Sequence, residues 1–294
     1  MRFAAVDIGS NAVRLLFCDV DVFQNHKDVK KISLIRLPIR LGEDVFSKKK
    51  ISAKNANQLI KALNAFKNLV DIYDVVAFRV CATSAFREAK NGKEVIEKVK
   101  KKTNITIEII DGDTEAKLLL ETHVTDRLNS QGTYLYIDVG GGSTELSIIS
   151  KGKAIQSKSF KIGTIRLKNN LVSESTWKEM KVWLEKIIKK HQPELAIGTG
   201  GNINKLYKMC GLKDYKLFEY TKLEEINQFI EQHSIEERIL KLGLKPDRAD
   251  VITHAAKVYL TVLAIAKVEN MFIPKLGLAD GVIYQLSEKK MKKS

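Results

Sequence analysis

The sequence predicts an α/β protein with two similar domains. A chain of 294 residues is long enough for about two domains. Short apolar runs typical of strands alternate with longer segments whose apolar residues recur at helical spacing. The strongest observation is an internal repeat, because Asp7-Ile-Gly-Ser-Asn-Ala-Val-Arg14 aligns without gaps to Asp138-Val-Gly-Gly-Gly-Ser-Thr-Glu145. Each copy follows one apolar strand and opens another, so we expect one strand–turn–strand unit in each of two facing domains, with a boundary near residue 120.

In the first half of the chain, two strands flank the turn Gly9-Ser10-Asn11. The segment 51–71 carries apolar residues at helical spacing, and Asp113 is expected to cap a helix that begins there. The predicted strands are 3–8, 13–20, 32–41, 75–80 and 105–110, and the predicted helices are 51–71, 88–101 and 113–128.

In the second half, a second pair of strands flanks Gly140-Gly141-Gly142, and the turn 198–201 leads from a strand into a helix. The segment 248–268 is apolar on most faces, which predicts a buried helix. The other predicted strands are 133–139, 144–150, 154–160, 195–197 and 271–274, and the other predicted helices are 176–191 and 278–289.

The charge balance favours polyanionic partners. Fifty lysines and arginines against thirty-five acidic residues give a formal net charge of +15 and a pI near 9.5. Such a field attracts nucleic acid, polyphosphate, nucleotides or an acidic membrane surface. The alternative is a solubility effect, because much of the lysine lies in the runs 48–50, 100–102 and 289–293. No nucleic-acid recognition motif accompanies the charge, so nucleic acid is not the expected partner.

The cysteines and the apolar segments predict a cytoplasmic setting. Cys18, Cys81 and Cys210 lack metal-ligand or redox spacing, and an odd number argues against a disulfide framework. Charged residues interrupt the N-terminal apolar run, so no signal peptide is expected. The segment 258–266 is too short to span a bilayer. We therefore expect a reducing environment and no membrane partner.

The two glycine turns of the repeat are candidate phosphate cradles. Gly9 and Gly140–Gly142 lack Cβ atoms, so their backbone N–H groups can approach an anion closely. Ser10, Asn11 and Ser143 add further hydrogen-bond donors beside these turns. A single glycine turn is a weak signal because many hairpins contain one, but its repetition after a strand that ends in aspartate is much stronger.

Asp7 and Asp138 end apolar strands, where a carboxylate is costly unless it meets a metal, water or a cation. Mg²⁺ prefers one or two carboxylates, several waters and phosphate oxygens, so the repeated pair predicts a magnesium site. The alternative is that each aspartate caps its own turn. Glu145 could hold metal-bound water. For Arg14 a phosphate contact, a bracing role and a surface salt bridge all remain open.

Three further segments carry candidate residues. Arg87 follows a strand-to-helix turn that suits an anion, and a role of Ser84 as a simple N-cap is compatible with this. The turn Gly198-Thr-Gly-Gly-Asn-Ile203 offers a third cradle. Glu115, early in a helix, could orient a water molecule against a phosphate, although a first-turn glutamate also favours the helix dipole.

Taken together, these motifs resemble those of the exopolyphosphatase / guanosine pentaphosphate phosphohydrolase family, within the superfamily of sugar kinases, 70-kDa heat-shock proteins and actin. The matching segments run in order through almost the whole chain: 7–15, 40–43, 82–87, 112–116, 137–146, 248–251 and 277–281. The resemblance implies two ribonuclease-H-like domains of the actin-like ATPase type flanking a cleft. It places them at 1–120 and 121–280, with the last helix, about 280–294, packing back on the first.

The resemblance also implies the roles of individual residues. Glu115 would act on the attacking water, and Asp138, Glu145 and Asp7 would surround Mg²⁺. The implied phosphate-binding residues are Ser10, Asn11, Arg87, Gly141, Gly142, Ser143, Gly200 and Gly201. The chain departs from the family pattern at Ala12, where a serine is usual, and in the turn 198–202. Because the sequence ends soon after Asp280, we do not expect the additional C-terminal helical domain of longer members.

The implied function is a Mg²⁺-dependent exopolyphosphatase that releases terminal phosphate from inorganic polyphosphate and prefers short chains. Guanosine pentaphosphate is the alternative substrate, and the sequence does not separate the two. A kinase of the same fold is less favoured because Glu115 suits water as the acceptor. A polyphosphate or nucleotide sensor without turnover is the alternative from another class. A homodimer is left open.

Overall fold

The structure is a computed structural model that describes residues 1–23, 26–122, 124, 128–213 and 216–291. The chain divides into two compact units. The first unit comprises Met1–Thr122 and Gly277–Ser294, and the second comprises His123–Leu276.

The first unit is built on a five-stranded sheet in the order β3-β2-β1-β4-β5. Its elements up to residue 120 are β1 (Arg2–Ile8), β2 (Val13–Phe23), β3 (His26–Leu37), α1 (Leu41–Lys48), α2 (Ala53–Ile72), β4 (Ala77–Ala82), α3 (Ser84–Glu88), α4 (Gly92–Thr103), β5 (Glu108–Ile109) and α5 (Gly112–Leu120). Strands β1, β2 and β3 pair antiparallel, whereas β4 runs parallel to both β1 and β5.

The second unit repeats this arrangement in a six-stranded sheet, β10-β11-β9-β6-β7-β8. Its elements are β6 (Thr133–Val139), β7 (Thr144–Ser150), β8 (Lys153–Phe160), α6 (Thr164–Lys168), α7 (Glu174–His191), β9 (Leu195–Thr199), α8 (Gly201–Met209), β10 (Phe218–Glu219), α9 (Tyr220–Glu231), α10 (Ile235–Leu240), α11 (Pro246–Ala249), α12 (Ile252–Ala266) and β11 (Asn270–Phe272). Strands β6, β7 and β8 pair antiparallel, β9 and β11 follow in parallel, and β10 adds an antiparallel edge.

The shared strand order confirms the predicted fold class, two ribonuclease-H-like α/β domains. Strand register confirms the internal repeat residue by residue. Asp7 pairs with Arg14 across β1 and β2, and Asp138 pairs with Glu145 across β6 and β7. The gapless alignment of the two segments therefore reflects equivalent positions in two equivalent hairpins.

The chain ends in helix α13 (Leu278–Met291), which belongs to the first unit. Strand β1 is buried along almost its whole length, as expected for a central strand covered on both faces. Val282 and Ile283 of α13 join Phe3 and Ala5 of β1 in one buried cluster. The last helix thus covers one face of the sheet that contains the first glycine turn, between β1 and β2.

One helical stretch among the described residues, Pro246–Ala266, is long and apolar enough to cross a membrane. More than half of its most apolar window, 56%, is nevertheless buried inside the protein. Ala255, Val258, Tyr259 and Val262 are fully buried in the core of the second unit. This stretch is therefore the core helix of that unit. The buried helix predicted over 248–268 is confirmed as buried, and 258–266 is only its most apolar part.

The strand predicted over 32–41 is wrong at its C-terminal end. Strand β3 stops at Leu37, and helix α1 begins at Leu41. Pro38 has no N–H group to continue the ladder, so the strand ends where the proline begins.

The helix predicted over 113–128 is also shorter than expected. Helix α5 covers Gly112–Leu120, and its N-cap is Asp111, whose carboxylate accepts a hydrogen bond from the Thr114 N–H at 2.8 Å. Asp113 was therefore the wrong cap, although it lies in the first turn. Residues 123 and 125–127 of the predicted helix lie outside the described part of the chain. The strand predicted over 105–110 is reduced to Glu108–Ile109, and 248–268 is divided between α11 and α12.

Candidate functional site

The glycine turn of the first unit is connected to the turn that follows β4. The Gly9 N–H donates to the Ala12 carbonyl at 3.1 Å and closes the turn between β1 and β2. The buried Ser10 hydroxyl shares a 2.8 Å hydrogen bond with the Ser84 hydroxyl. Helix α3 has Thr83 as its N-cap and no side-chain cap bond, so the interpretation of Ser84 as a simple N-cap is wrong. The structure thus brings together two predicted anion-binding turns.

Asp7, at the end of β1, is buried and forms an ion pair with Arg14 of β2. The Arg14 Nη1 atom donates to Asp7 Oδ2 at 2.5 Å. The two residues face each other in the antiparallel register, so the pair braces the hairpin. Of the roles left open for Arg14, the structure shows a salt bridge, while a phosphate contact and bracing of the cleft stay predictions. The predicted metal role of Asp7 stays a prediction.

Arg87 and Glu115 meet in the first unit, although 28 residues separate them in the chain. Arg87 Nη1 donates to Glu115 Oε2 at 2.8 Å and to the Ile110 carbonyl at 2.8 Å. Both side chains are about one-fifth exposed, with values of 22% and 20%. Helix α5 places Glu115 in its first turn, and the guanidinium fixes the direction of its carboxylate. A carboxylate with a fixed direction is better suited to orienting a water molecule than to changing its hydrogen-bond partners.

The glycine turn of the second unit closes like its counterpart, with the Gly140 N–H donating to the Ser143 carbonyl at 2.9 Å. The buried Glu145 carboxylate accepts hydrogen bonds from two hydroxyls, Ser143 at 2.6 Å and Ser159 at 3.0 Å. The glycine turn and the neighbouring strand β8 therefore fix the orientation of Glu145. The hydroxyl of Ser143, a predicted phosphate contact, is directed at Glu145 in this structure.

Buried tyrosine hydroxyls form a hydrogen-bond network beside Asp138. The Tyr136 hydroxyl lies 3.2 Å from Asp138 Oδ2 and 2.7 Å from the Thr199 hydroxyl. The Tyr259 hydroxyl donates to the Thr199 carbonyl and accepts a hydrogen bond from the Val139 N–H at 3.3 Å. Burial, and then the charge of Asp138, raise the pKa of both Tyr136 and Tyr259 well above the usual value. Both phenols therefore stay protonated and act as donors.

The third glycine turn stands beside Asp138. Gly200 has φ = +111°, a conformation that L-residues with a side chain rarely adopt, and helix α8 begins at Gly201. A Cβ atom at Gly200 would lie 3.1 Å from Asp138 Oδ1. The predicted passage from a strand through this turn into a helix is confirmed. Glycine is needed at position 200 for its conformation and for the close approach of the carboxylate.

The chemistry of the pair Asp138 and Glu145 fits a divalent cation. Directly opposed residues in an antiparallel pair project from the same face, so two carboxylates stand side by side here. Opposed like charges destabilise a sheet unless a cation compensates them. At the same register position the first unit has Asp7 and Arg14, so there a side chain supplies the positive charge.

Magnesium would take these two carboxylates and complete its shell with water or phosphate oxygens. Among the described residues, no group of three or more histidine, cysteine, aspartate or glutamate side chains is placed to hold a metal. The two carboxylates therefore suit an ion that takes most of its ligands from water or phosphate and few from the protein. That is the usual behaviour of Mg²⁺ with phosphate ligands.

Sequence reasoning missed several residues that shape the second unit. Gly163 lies close against the turn 140–142 and Arg166 donates to it, while Tyr136 and Tyr259 support Asp138 and Thr199. For Gly163 and Arg166, the sequence does hold one signal, which is their position within the repeat. Gly163 and Arg166 follow β8, the third strand of the repeat, as Arg40 to Glu43, a motif that was recognised, follow β3.

A duplicated sheet with a glycine turn after its first strand and paired charged residues at the strand ends defines the class of internally repeated ribonuclease-H-like α/β proteins. Residues 22–290 match the model of the Ppx/GppA phosphatase family, and the chain belongs to that family. The family resemblance of the sequence motifs is thereby confirmed.

Individual relatives agree with this assignment. Exopolyphosphatase 1 of Mycobacterium tuberculosis is 25% identical over 303 residues, which cover 96% of this chain and 87% of the relative. A guanosine-5'-triphosphate,3'-diphosphate pyrophosphatase of Aeromonas hydrophila is 25% identical over 298 residues, 97% of this chain and 59% of the relative. The crystal structure of the Aquifex aeolicus family member is similar with a TM-score of 0.77 at 25% identity, covering 99% of this chain and 98% of that one.

Proposed function

We propose that the protein is a Mg²⁺-dependent exopolyphosphatase that hydrolyses the terminal phosphoanhydride bond of inorganic polyphosphate. The observation that carries the proposal is the pair of opposed carboxylates, Asp138 and Glu145, at the position where the first unit has Asp7 and Arg14. Family membership and the relatives named exopolyphosphatase support the substrate class. When bound, Mg²⁺ would supply positive charge against phosphate oxygens at this pair.

The reaction requires groups that bind phosphate, groups that hold the metal and a group that orients water. The second unit supplies the metal-binding carboxylates and the glycine turns 140–142 and 198–201. The first unit supplies Arg87, the turn around Ser10 and Asn11, and Glu115. Because phosphoryl transfer passes through a loose transition state, positioning and charge contribute more than basicity. This favours Glu115 as the residue that orients the attacking water, with Arg87 holding its carboxylate in direction.

The test of the proposal is phosphate release from long polyphosphate, short polyphosphate, guanosine pentaphosphate and ATP. We expect release from polyphosphate with Mg²⁺, its loss with EDTA and its return when Mg²⁺ is added back. Full activity in metal-free buffer would refute the metal site. No release from any of the four substrates would refute the enzyme and favour a sensor.

Glu115→Gln tests the water-orienting role within the same assay. We expect turnover to fall by about 10² or more, as for other positioned acid–base groups, while KM changes little. Asp113→Asn is the matched control, because it removes a carboxylate from the same first turn of α5. An equal loss in both variants would assign Glu115 to the helix dipole instead.

Guanosine pentaphosphate is the second candidate substrate, and the similarity to the Aeromonas pyrophosphatase over 97% of this chain favours it. Both substrates end in a phosphoanhydride, so the ratio of kcat/KM values from the four-substrate assay decides between them. The preference for short chains, the cytoplasmic setting, the lack of a nucleic-acid partner and a homodimer stay predictions. Gel analysis of partly digested polyphosphate tests the first: distributive cutting gives an evenly shortening ladder, whereas full-length chains beside end product would contradict it.

A further inference from the structure

The segment after β8 contacts every carbonyl of the second glycine turn. The Gly140 carbonyl accepts from the Thr164 N–H at 3.0 Å, and the Gly141 carbonyl accepts from the Ile165 N–H at 2.9 Å. The Gly142 carbonyl accepts from Arg166 Nε at 2.6 Å. Three successive carbonyl groups therefore point towards a single segment of chain, residues 163–166.

This arrangement determines where the amide groups of the turn point. Each carbonyl shares a planar trans peptide with the N–H of the next residue, and the two groups point in opposite directions. The N–H groups of Gly141, Gly142 and Ser143 must then all point away from the segment 163–166. Successive N–H groups aimed in one direction form an anion-binding concavity. The turn is thus held open for an anion before any ligand arrives.

Gly163 is required for this contact by space rather than by backbone conformation. Its φ is −145°, which any residue can adopt. A Cβ atom at position 163 would lie 2.5 Å from the Gly141 carbonyl oxygen and 2.5 Å from the backbone of Gly142. Since backbone atoms cannot rotate away as a side chain can, only glycine permits the close approach.

Arg166 completes the arrangement with a side chain. It is 4% exposed, and its Nε–H group reaches a backbone oxygen of the turn. Lysine has a methylene group at the chain position of the arginine Nε, so it would keep the charge but lose this bond. In the first unit, Ser10 is equivalent to Gly141, and its carbonyl likewise accepts from a backbone N–H, that of Gly42, at 2.8 Å.

We propose that Gly163 and Arg166 are positioning residues that hold the turn 140–143 as a preformed three-amide site for a terminal phosphate. The proposal rests on the proposed function for the nature of the anion. Both residues would then contribute to substrate affinity, although they contact the carbonyl side of the turn and not its N–H side.

The experiment compares Arg166→Lys with Arg238→Lys. Arg238 is a matched control because its Nε also donates to a backbone carbonyl, that of Ile230 at 3.0 Å, away from the glycine turns. Binding of imidodiphosphate with Mg²⁺ is measured by calorimetry, and KM and kcat are measured with polyphosphate. We expect Arg166→Lys to weaken probe binding and to raise KM by about tenfold, the usual value of one charge-assisted hydrogen bond, with Arg238→Lys unchanged.

A second measurement needs only the wild-type protein. In a ¹⁵N–¹H spectrum, imidodiphosphate should shift the amide signals of Gly141, Gly142 and Ser143. Unmoved signals, or equal probe affinities in the two lysine variants, would overturn the proposal. Failure of the wild type to release phosphate would refute the proposed function instead, and the binding and spectral measurements would still decide the role of the turn.

Discussion

At the scale of single residues, the Asp138 carboxylate depends on a neutral phenol. An ionised carboxylate only accepts hydrogen bonds, so Tyr136 donates its proton to Asp138 and accepts from the Thr199 hydroxyl. The raised pKa of Tyr136 keeps that proton in place at neutral pH. On the proposed function Asp138 is a metal ligand, and loss of a residue that orients such a ligand typically weakens metal binding by about 10-fold to 100-fold.

Tyr136→Phe should therefore weaken Mg²⁺ binding by about tenfold or more, as the loss of a supporting hydrogen bond usually does. Tyr134→Phe is the matched control, because this tyrosine lies on the same strand and face but donates to the Asn129 carbonyl, at 2.7 Å. Calorimetric titration with Mg²⁺ and the rise in melting temperature with added Mg²⁺ are the measurements. Equal Mg²⁺ affinity in the two variants would contradict the supporting role.

Residues of the candidate site could be predicted from the sequence where they belong to the repeated motif. Asp7, Asp138 and Glu145 stand in gapless copies, so one comparison of the chain with itself found all three. Tyr259 and Arg166 were not predictable in this way. Their partners lie far away in the sequence, 120 residues for Tyr259 and 24 for Arg166, and no local pattern marks a contact made only by folding.

At the scale of elements, helix α13 packs directly against the helix that carries Glu115. A Cβ atom at Gly281 would lie 1.9 Å from the Leu118 carbonyl oxygen of α5. Asp280, in the same turn of α13, forms a 2.7 Å ion pair with Lys31 of β3 and accepts a hydrogen bond from the Gly277 N–H at 2.9 Å. The last helix is thereby fixed to the sheet and sets the position of α5.

Gly281→Ala should displace α5 and so move Glu115, which lies one turn before Leu118. Overpacking of this kind costs about 1–3 kcal/mol of stability. We expect kcat to fall by roughly 10-fold to 100-fold, because misplacing a catalytic group by about 1 Å costs about 10² in rate. KM should change little.

Gly277→Ala is the control for this variant, because a Cβ at Gly277 meets no heavy atom within 4 Å. Melting curves and steady-state kinetics distinguish the two. A loss of stability in Gly281→Ala with wild-type kcat would show that α13 supports the fold without setting the position of Glu115.

Element boundaries were predictable where composition changes sharply. The strands predicted at 133–139 and 144–150 coincide with β6 and β7, because apolar runs meet glycine at both sides of the turn. The predictions failed where one backbone group decides the boundary, as with Pro38 after β3 and the Asp111 cap of α5. Such boundaries depend on a single hydrogen bond, which hydrophobic spacing does not report.

At the scale of the whole molecule, the net charge of +15 bears on the affinity for a polyanion. Each phosphate captured by a cationic group releases condensed counterions, so binding weakens as salt concentration rises. If about three phosphates are captured, the KM for polyphosphate should rise by roughly 20-fold to 40-fold between about 50 mM and about 200 mM salt. kcat should stay nearly constant.

Comparing substrates gives the control for this prediction. ATP carries fewer charges than long polyphosphate, so its KM should depend less steeply on salt. Initial rates at a series of sodium chloride concentrations measure both slopes. A KM for polyphosphate that does not change with salt would assign the lysine excess to solubility, the alternative drawn from the sequence.

The two hairpins of the repeat place opposed residues at one position and balance their charges from different sources. In the first, the positive charge belongs to the side chain of Arg14 and is therefore part of the protein itself. In the second, on the proposed function, a Mg²⁺ ion from the solution compensates the two carboxylates, and this compensation is lost when the ion leaves. Arginine in one hairpin and glutamate at the equivalent position of the other thus make the charge balance of the first independent of dissolved ions and, on the proposed function, that of the second dependent on them.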